Sequence, residues 1–116
     1  MAKLPNADLA SIDDAKITSY LLDETHEEGG SKAAFFMSFG FDPAQPVVLA
    51  DAILQHGQRH DFLSMQSSPH GEKYVIDGPL ECPDGRAPIV RAVWIIDDGD
   101  SAPRFVTAYP GPRRTP

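Results

Sequence analysis

The chain has 116 residues, 41% hydrophobic and 23% charged, with a net charge of −7. That length encloses one core and leaves no room for two, and the acidity excludes a protein that coats phosphate backbones over its whole surface. The single cysteine, Cys82, excludes an intrachain disulfide framework and fits a reducing compartment.

From Met1 to Asp14 no basic start is followed by an apolar stretch, so no signal peptide is expected. No run reaches transmembrane length. Val90–Ile96 is strand-sized and interrupted by Arg91. The expectation is a cytoplasmic protein with no membrane association.

The first predicted helix covers Asp13 to Leu22. Ile17, Tyr20 and Leu21 recur at helical spacing, with Ser11 or Asp13 as the start signal. The run His26-Glu27-Glu28-Gly29-Gly30-Ser31-Lys32 then opens a second helix, Lys32 to Phe39, which carries Phe35, Phe36 and Phe39 and stops at Gly40. A helix start presents unpaired N–H groups and positive dipole, and so favours an anion. Gly29 and Gly30 would let the backbone approach such a ligand, with Ser31 beside them. Lys32 adds a full positive charge, and His26 can move a proton near neutral pH. The plainer reading is that Ser31 caps the helix while His26 and Lys32 are solvated. Asp42 is the expected N-cap of a third helix, with Pro43 in its first turn, Val47 to Leu54 as its apolar continuation and Gly57 as its end.

Strand-like runs follow at Asp61–Gln66, Lys73–Gly78, Ala87–Asp97 and Pro103–Tyr109, joined by short stretches rich in turn formers. Short connections make successive strands antiparallel. The predicted architecture is therefore α+β: about three N-terminal helices packed on one face of a four-stranded antiparallel meander sheet. Residues 1–110 would form the domain, and 111–116 a flexible tail.

Alternation sorts the strand residues by face. Val90, Ala92, Trp94 and Ile96 suit the helix-covered core, which places Arg91 on the open face. In the last strand, Val106 and Ala108 face one way and Phe105, Thr107 and Tyr109 the other, so Thr107 and Tyr109 can join Arg91. Lys73 is a further candidate for that face.

His26, Lys32, Arg91, Thr107 and Tyr109 are the groups that cleavage of RNA without a metal requires. A base takes the ribose 2′-OH proton, an acid protonates the departing 5′ oxygen, and cations or donors hold the phosphate. These five are the catalytic candidates. Gly29, Gly30, Ser31 and Lys73 are the substrate-binding ones, and no cofactor is expected.

Other patterns carry less. Gly29-Gly30-Ser31-Lys32 lacks the first glycine and the preceding strand of a nucleotide phosphate loop. His56 and His60 invite a metal reading, but Gly57 between them and the lack of a fourth ligand make surface residues at a helix end the simpler expectation. Asp97-Asp98-Gly99-Asp100 lacks the closing glutamate of a calcium loop and reads as a hairpin turn. His70 is a turn residue and Cys82 structural. Phe35, Phe36, Phe39, Phe41 and Trp94 are core residues.

The run His26-x-x-Gly29-x-x-Lys32-Ala33-x-Phe35-Phe36, followed by Gly40-Phe41, resembles a small bacterial family of domains of unknown function. So do Lys3-Leu4-Pro5-Asn6-Ala7, Gly71-x-Lys73-Tyr74, Gly78-Pro79-Leu80, Val93-Trp94-Ile95-Ile96 and Val106-Thr107-Ala108-Tyr109-Pro110. The layout of that family looks like the barnase–EndoU–colicin–RelE group of RNase-fold toxins, in which helices precede a four-stranded sheet. The resemblance implicates Thr107 and Tyr109 of the last strand, with His26 and Lys32 from the helical half. Arg91 enters by strand facing alone. The chain departs from the toxins in its acidity and lacks the glutamate–arginine–histidine order of barnase-like enzymes. What the resemblance implies is a metal-independent ribonuclease toxin that acts on RNA and is neutralised by a cognate antitoxin or immunity protein. The alternative is a non-catalytic acidic binding module, the immunity or scaffold half of such a pair.

Overall fold

The computed structural model describes residues 2–23, 25 and 30–111. A short 3₁₀ turn, Ala7–Leu9, precedes α1, Asp14–Lys16, whose start is fixed by the Asp13 carboxylate accepting from the Ala15 N–H at 3.0 Å. The helix runs on into a wider π turn, Ile17–Leu21, closed by the Leu22 N–H donating to the Ile17 carbonyl at 2.9 Å. This stretch buries Ile17, Leu21 and Leu22 and leaves Tyr20 half-buried at the rim.

Helix α2, Gly30–Ser38, buries Ala33 and Phe36. It ends where Gly40 adopts φ 99°. Gly40 N–H returns to the Met37 carbonyl and Phe41 N–H to that of Phe36, a paired closure that leaves Phe41 buried. Phe35 and Phe39 are only half-buried, and the Arg86 guanidinium lies 4.2 Å above the Phe39 ring, so these two sit at the margin of the core.

Helix α3, Pro46–Arg59, differs from its prediction at both ends. Asp42 instead holds a turn, accepting from the Ala44 N–H at 2.9 Å. Gln45, just before a proline, is non-helical at φ −131° and ψ 65°, so Pro46 takes the first helical position. At the other end the helix runs through Gly57. A Cβ there would stand 2.9 Å from Cζ2 of Trp94, so the glycine serves close helix–sheet packing and not termination.

Strands β1 (Ser64–Ser68), β2 (Gly71–Pro79), β3 (Ile89–Asp97) and β4 (Arg104–Pro110) form an antiparallel meander in the order β1-β2-β3-β4. The fold is α+β, with the helices before the strands. Tyr74, Ile76, Val90, Ala92 and Trp94 pack with Leu49 and Ile53 of α3, and Ile96 leans on the same cluster. The opposite face carries Val75, Asp77, Arg91 and Val93. Ile95 is also buried on that face, outside the core cluster, between its strand partners Lys73 and Arg104.

One facing assignment is corrected. Phe105 does not share a face with Thr107: it pairs with Trp94, its ring 5.5 Å away edge-to-face, and only 2% of it is exposed. The register of β4 shifts between Val93 and Trp94, which pair with Thr107 and Phe105 and leave Val106 as the extra residue. That bulge reverses the alternation before Thr107 and preserves it after. Core Phe105 and Ala108 therefore flank an outward Thr107.

Before α1, the Ser11 N–H donates to the Pro103 carbonyl at 3.1 Å, and Phe105 N–H donates to Ser11 at 3.0 Å. This contact ties the chain to the outer edge of β4. Both α1 and α2 then pack against β4, while α3 lies over β2.

Candidate functional site

The edge of β4 faces a cavity of about 510 Å³ lined by Tyr20, Ser31, Lys32, Thr107, Tyr109 and Pro110. Three elements meet there. Beyond the bulge, Thr107 and Tyr109 are two residues apart on β4 and face the same way. The first turn of α2 supplies Ser31 and Lys32, and the π turn after α1 supplies Tyr20.

The Tyr20 and Thr107 hydroxyls are hydrogen-bonded at 3.0 Å. The Lys32 ammonium lies 5.2 Å from the centre of the Tyr20 ring, and that of Lys16 lies at 5.6 Å. Burial by itself resists ionisation of the Tyr20 phenol. The hydrogen bonds from Thr107 and Lys32 and the charges of Lys32 and Lys16 outweigh it, leaving the pKa below its usual 10.0. A phenol so placed gives up or shares a proton more readily than an ordinary tyrosine.

Arg91 stands opposite Tyr109 on the neighbouring strand, on the face its alternation predicts. Its fork is engaged: Nε and Nη2 donate to the two Asp77 carboxylate oxygens at 2.7 and 2.8 Å. Asp77 first, then Tyr109, raises the Arg91 pKa still further above its usual range, so the guanidinium is permanently charged and held against Tyr109.

Of the residues singled out by sequence, Ser31, Lys32, Thr107 and Tyr109 meet in this cavity. Gly30 is the first residue of α2, adjacent to it. Lys73 is exposed on the open face, paired with Ile95, and does not line the cavity. His26 and Gly29 lie outside the described residues. Tyr20 and Asp77 were not singled out. The signal for Tyr20 was its spacing of four from Lys16, which puts both on one helix face, but it reads equally well as part of the apolar pattern.

His56 is corrected outright. It is 2% exposed, and its Nε2 faces the carbonyls of Gly78 at 3.1 Å and Val90 at 2.9 Å. With two acceptors before it, Nε2 carries the proton. Burial holds the pKa below its usual value. The physical reason is that α3 continues past Gly57 and presses this turn onto the sheet. His60 stays near the surface, its Nε2 3.2 Å from the Pro79 carbonyl, and its ring centre is 5.1 Å from that of His56. The Cys82 thiol is pushed up to about 11 by burial, and its Sγ lies 3.2 Å from the Leu80 carbonyl, an unreactive setting. Asp100 N–H donates to the Asp97 carbonyl, the expected hairpin turn. Among the described residues no cluster of three or more His, Cys, Asp or Glu is placed to hold a metal, and no helix is long and apolar enough to cross a membrane.

A family model described as a domain of unknown function, DUF6883, matches residues 3–112. No curated protein matches the chain. Among solved structures, a chain of the contact-dependent growth inhibition toxin–immunity protein complex from Klebsiella pneumoniae 342 is similar, with a TM-score of 0.67 over 86% of this chain and 98% of that one. At 18% identity the likeness is one of fold.

Proposed function

Since this chain belongs to the DUF6883 family, whose description leaves function open, activity has to be read from its own site, and we propose a metal-independent ribonuclease toxin of a bacterial toxin–antitoxin or effector–immunity system. One observation carries the reading: an ammonium, a phenol of lowered pKa and two further hydroxyl-bearing residues of β4 converge on one cavity. The fold of a toxin–immunity complex chain supports it.

The reaction is transphosphorylation. The ribose 2′ oxygen loses its proton to a base and attacks phosphorus. The bond to the 5′ oxygen breaks, and that oxygen takes a proton from an acid. The products are a 2′,3′-cyclic phosphate and a free 5′ hydroxyl. Lys32 offsets the charge that builds on the phosphate oxygens, and Thr107 and Ser31 donate hydrogen bonds to them. Tyr109 orients the nucleotide by stacking, steadied by Arg91, whose own charge is largely offset by Asp77. His26 is assigned proton transfer on its sequence position. The neutralising partner is a cognate antitoxin or immunity protein.

Purified protein should cut RNA in the presence of a chelator and leave cyclic phosphate ends. Lys32→Ala should slow cleavage by roughly a hundredfold, the usual scale for removing one charge-stabilising donor. RNA left intact by the wild type, together with normal growth on expression, would overturn the reading.

The net charge of −7 favours a second reading, an acidic module that masks a basic partner. A protein silent toward RNA that forms a salt-sensitive one-to-one complex with a basic toxin domain would establish it instead.

A further inference from the structure

Tyr20 and Thr107 line more than one cavity. On their other side lies a second space of about 500 Å³, walled by Asp13 and Lys16 at the two ends of α1, by Ser19 of the π turn and by Val106 at the bulge. The hydrogen-bonded hydroxyl pair is thus a septum between two adjoining hollows along the β4 edge, 510 and 500 Å³ in volume. Each hollow has its own lysine. Lys32 lines one and Lys16 the other, and both ammoniums lie within 5.6 Å of the Tyr20 ring centre, so they are separated by no more than twice that distance. Among the described residues, Asp13 is the one carboxylate in the walls, and it caps α1 by accepting from the Ala15 N–H.

Two point charges at this separation, divided by a pair of hydroxyls, match a ligand whose own charges repeat at short intervals. We propose that the two hollows form one groove for a single-stranded polynucleotide, which places consecutive phosphates at Lys32 and Lys16 with Tyr20 and Thr107 between them. The inference rests on the ribonuclease reading and adds to it a minimum substrate length and three binding residues, Lys16, Ser19 and Tyr20. The bulge at Val106 takes part, because that extra residue lines the second hollow and not the first.

The test uses the full chain and 2′-deoxy oligonucleotides, which bind but lack the attacking hydroxyl. Fluorescence anisotropy should show a trinucleotide, with two phosphates, binding at least tenfold more tightly than a dinucleotide, with one. Lys16→Gln should bring that ratio to about one and reduce the salt slope for the trinucleotide by roughly 0.7, the share of one phosphate contact on a single strand. Lys16→Arg should restore the ratio, and circular dichroism would confirm that both variants fold. Wild-type cleavage of RNA with a ratio already near one, or a ratio unchanged in Lys16→Gln, would overturn the groove and leave the ribonuclease reading standing. Wild type that neither binds these probes nor cuts RNA would overturn both.

Discussion

Tyr20 takes its chemical character from three separate stretches of chain: Lys16 one turn before it, Lys32 at the start of α2, and Thr107 on β4. Two of those influences are charges, so they can be removed one at a time. Lys32→Ala should raise the phenol's pKa, because loss of a cation disfavours the phenolate. Ultraviolet titration of the tyrosines should show one transition moving to higher pH, and no movement would separate Lys32 from Tyr20. His56 makes the opposite kind of prediction, on stability. Burial, the largest influence, holds its pKa below the ordinary 6.5. In the unfolded chain the imidazole therefore takes up a proton at a pH where the folded one does not. The resulting stability is present above 6.5 and is lost as pH falls from there toward the folded pKa, at about 1.4 kcal/mol per unit of separation. Urea midpoints should fall from about pH 7 to about pH 5 in the wild type, and His56→Gln, with nothing to titrate, should show a flatter profile.

Among the elements, α3 depends on a residue whose propensity argues against it. Replacing an interior helical glycine by alanine ordinarily stabilises by about 1 kcal/mol. At Gly57 the added Cβ would stand 2.9–3.0 Å from three atoms of the buried Trp94 ring. Overpacking of that kind costs about 1–3 kcal/mol, so Gly57→Ala should be net destabilising in a chemical melt. A variant as stable as the wild type would mean that α3 can lift from the sheet without penalty. Strand β4 shows a different limit of local reasoning. Alternation correctly set Thr107 and Tyr109 opposite Ala108, and wrongly set Phe105 with Thr107, because nothing in Arg104-Phe105-Val106-Thr107 announces that Val106 is an extra residue. A bulge is fixed by what the neighbouring strand offers, here Trp94 for Phe105 to pack against.

For the molecule as a whole, the acidity and the two-lysine groove have a joint consequence. A protein that wraps nucleic acid loses affinity steeply with salt. With two phosphate contacts the slope of log affinity against log salt should be only about −1.4, and repulsion from a surface of net charge −7 makes it shallower still. Binding of a short single strand measured across salt concentrations would check this. A slope several times steeper would place the nucleic acid on some other, broader basic surface.

Much of this was legible in the residues. Hydrophobic spacing indicated the helices and the last three strands, short turn-rich links made the sheet an antiparallel meander, and the helices-then-strands order made the class α+β, because each of these is a property of neighbours along the chain. Strand β1, expected at Asp61–Gln66, runs instead from Ser64 to Ser68, where every residue is exposed and no apolar pattern marks it. The facing of Arg91 and the pairing of Thr107 with Tyr109 followed from a period of two. What only the tertiary structure decided was which groups share a space. The fork of Arg91 closes on Asp77, fourteen residues away. His56 sinks between helix and sheet because Gly57 admits the Trp94 ring. Tyr20, an unremarked member of an apolar stripe, meets Thr107 across 87 residues. Periodicity fixes direction from the backbone but carries no record of distance between segments that touch only when the core closes.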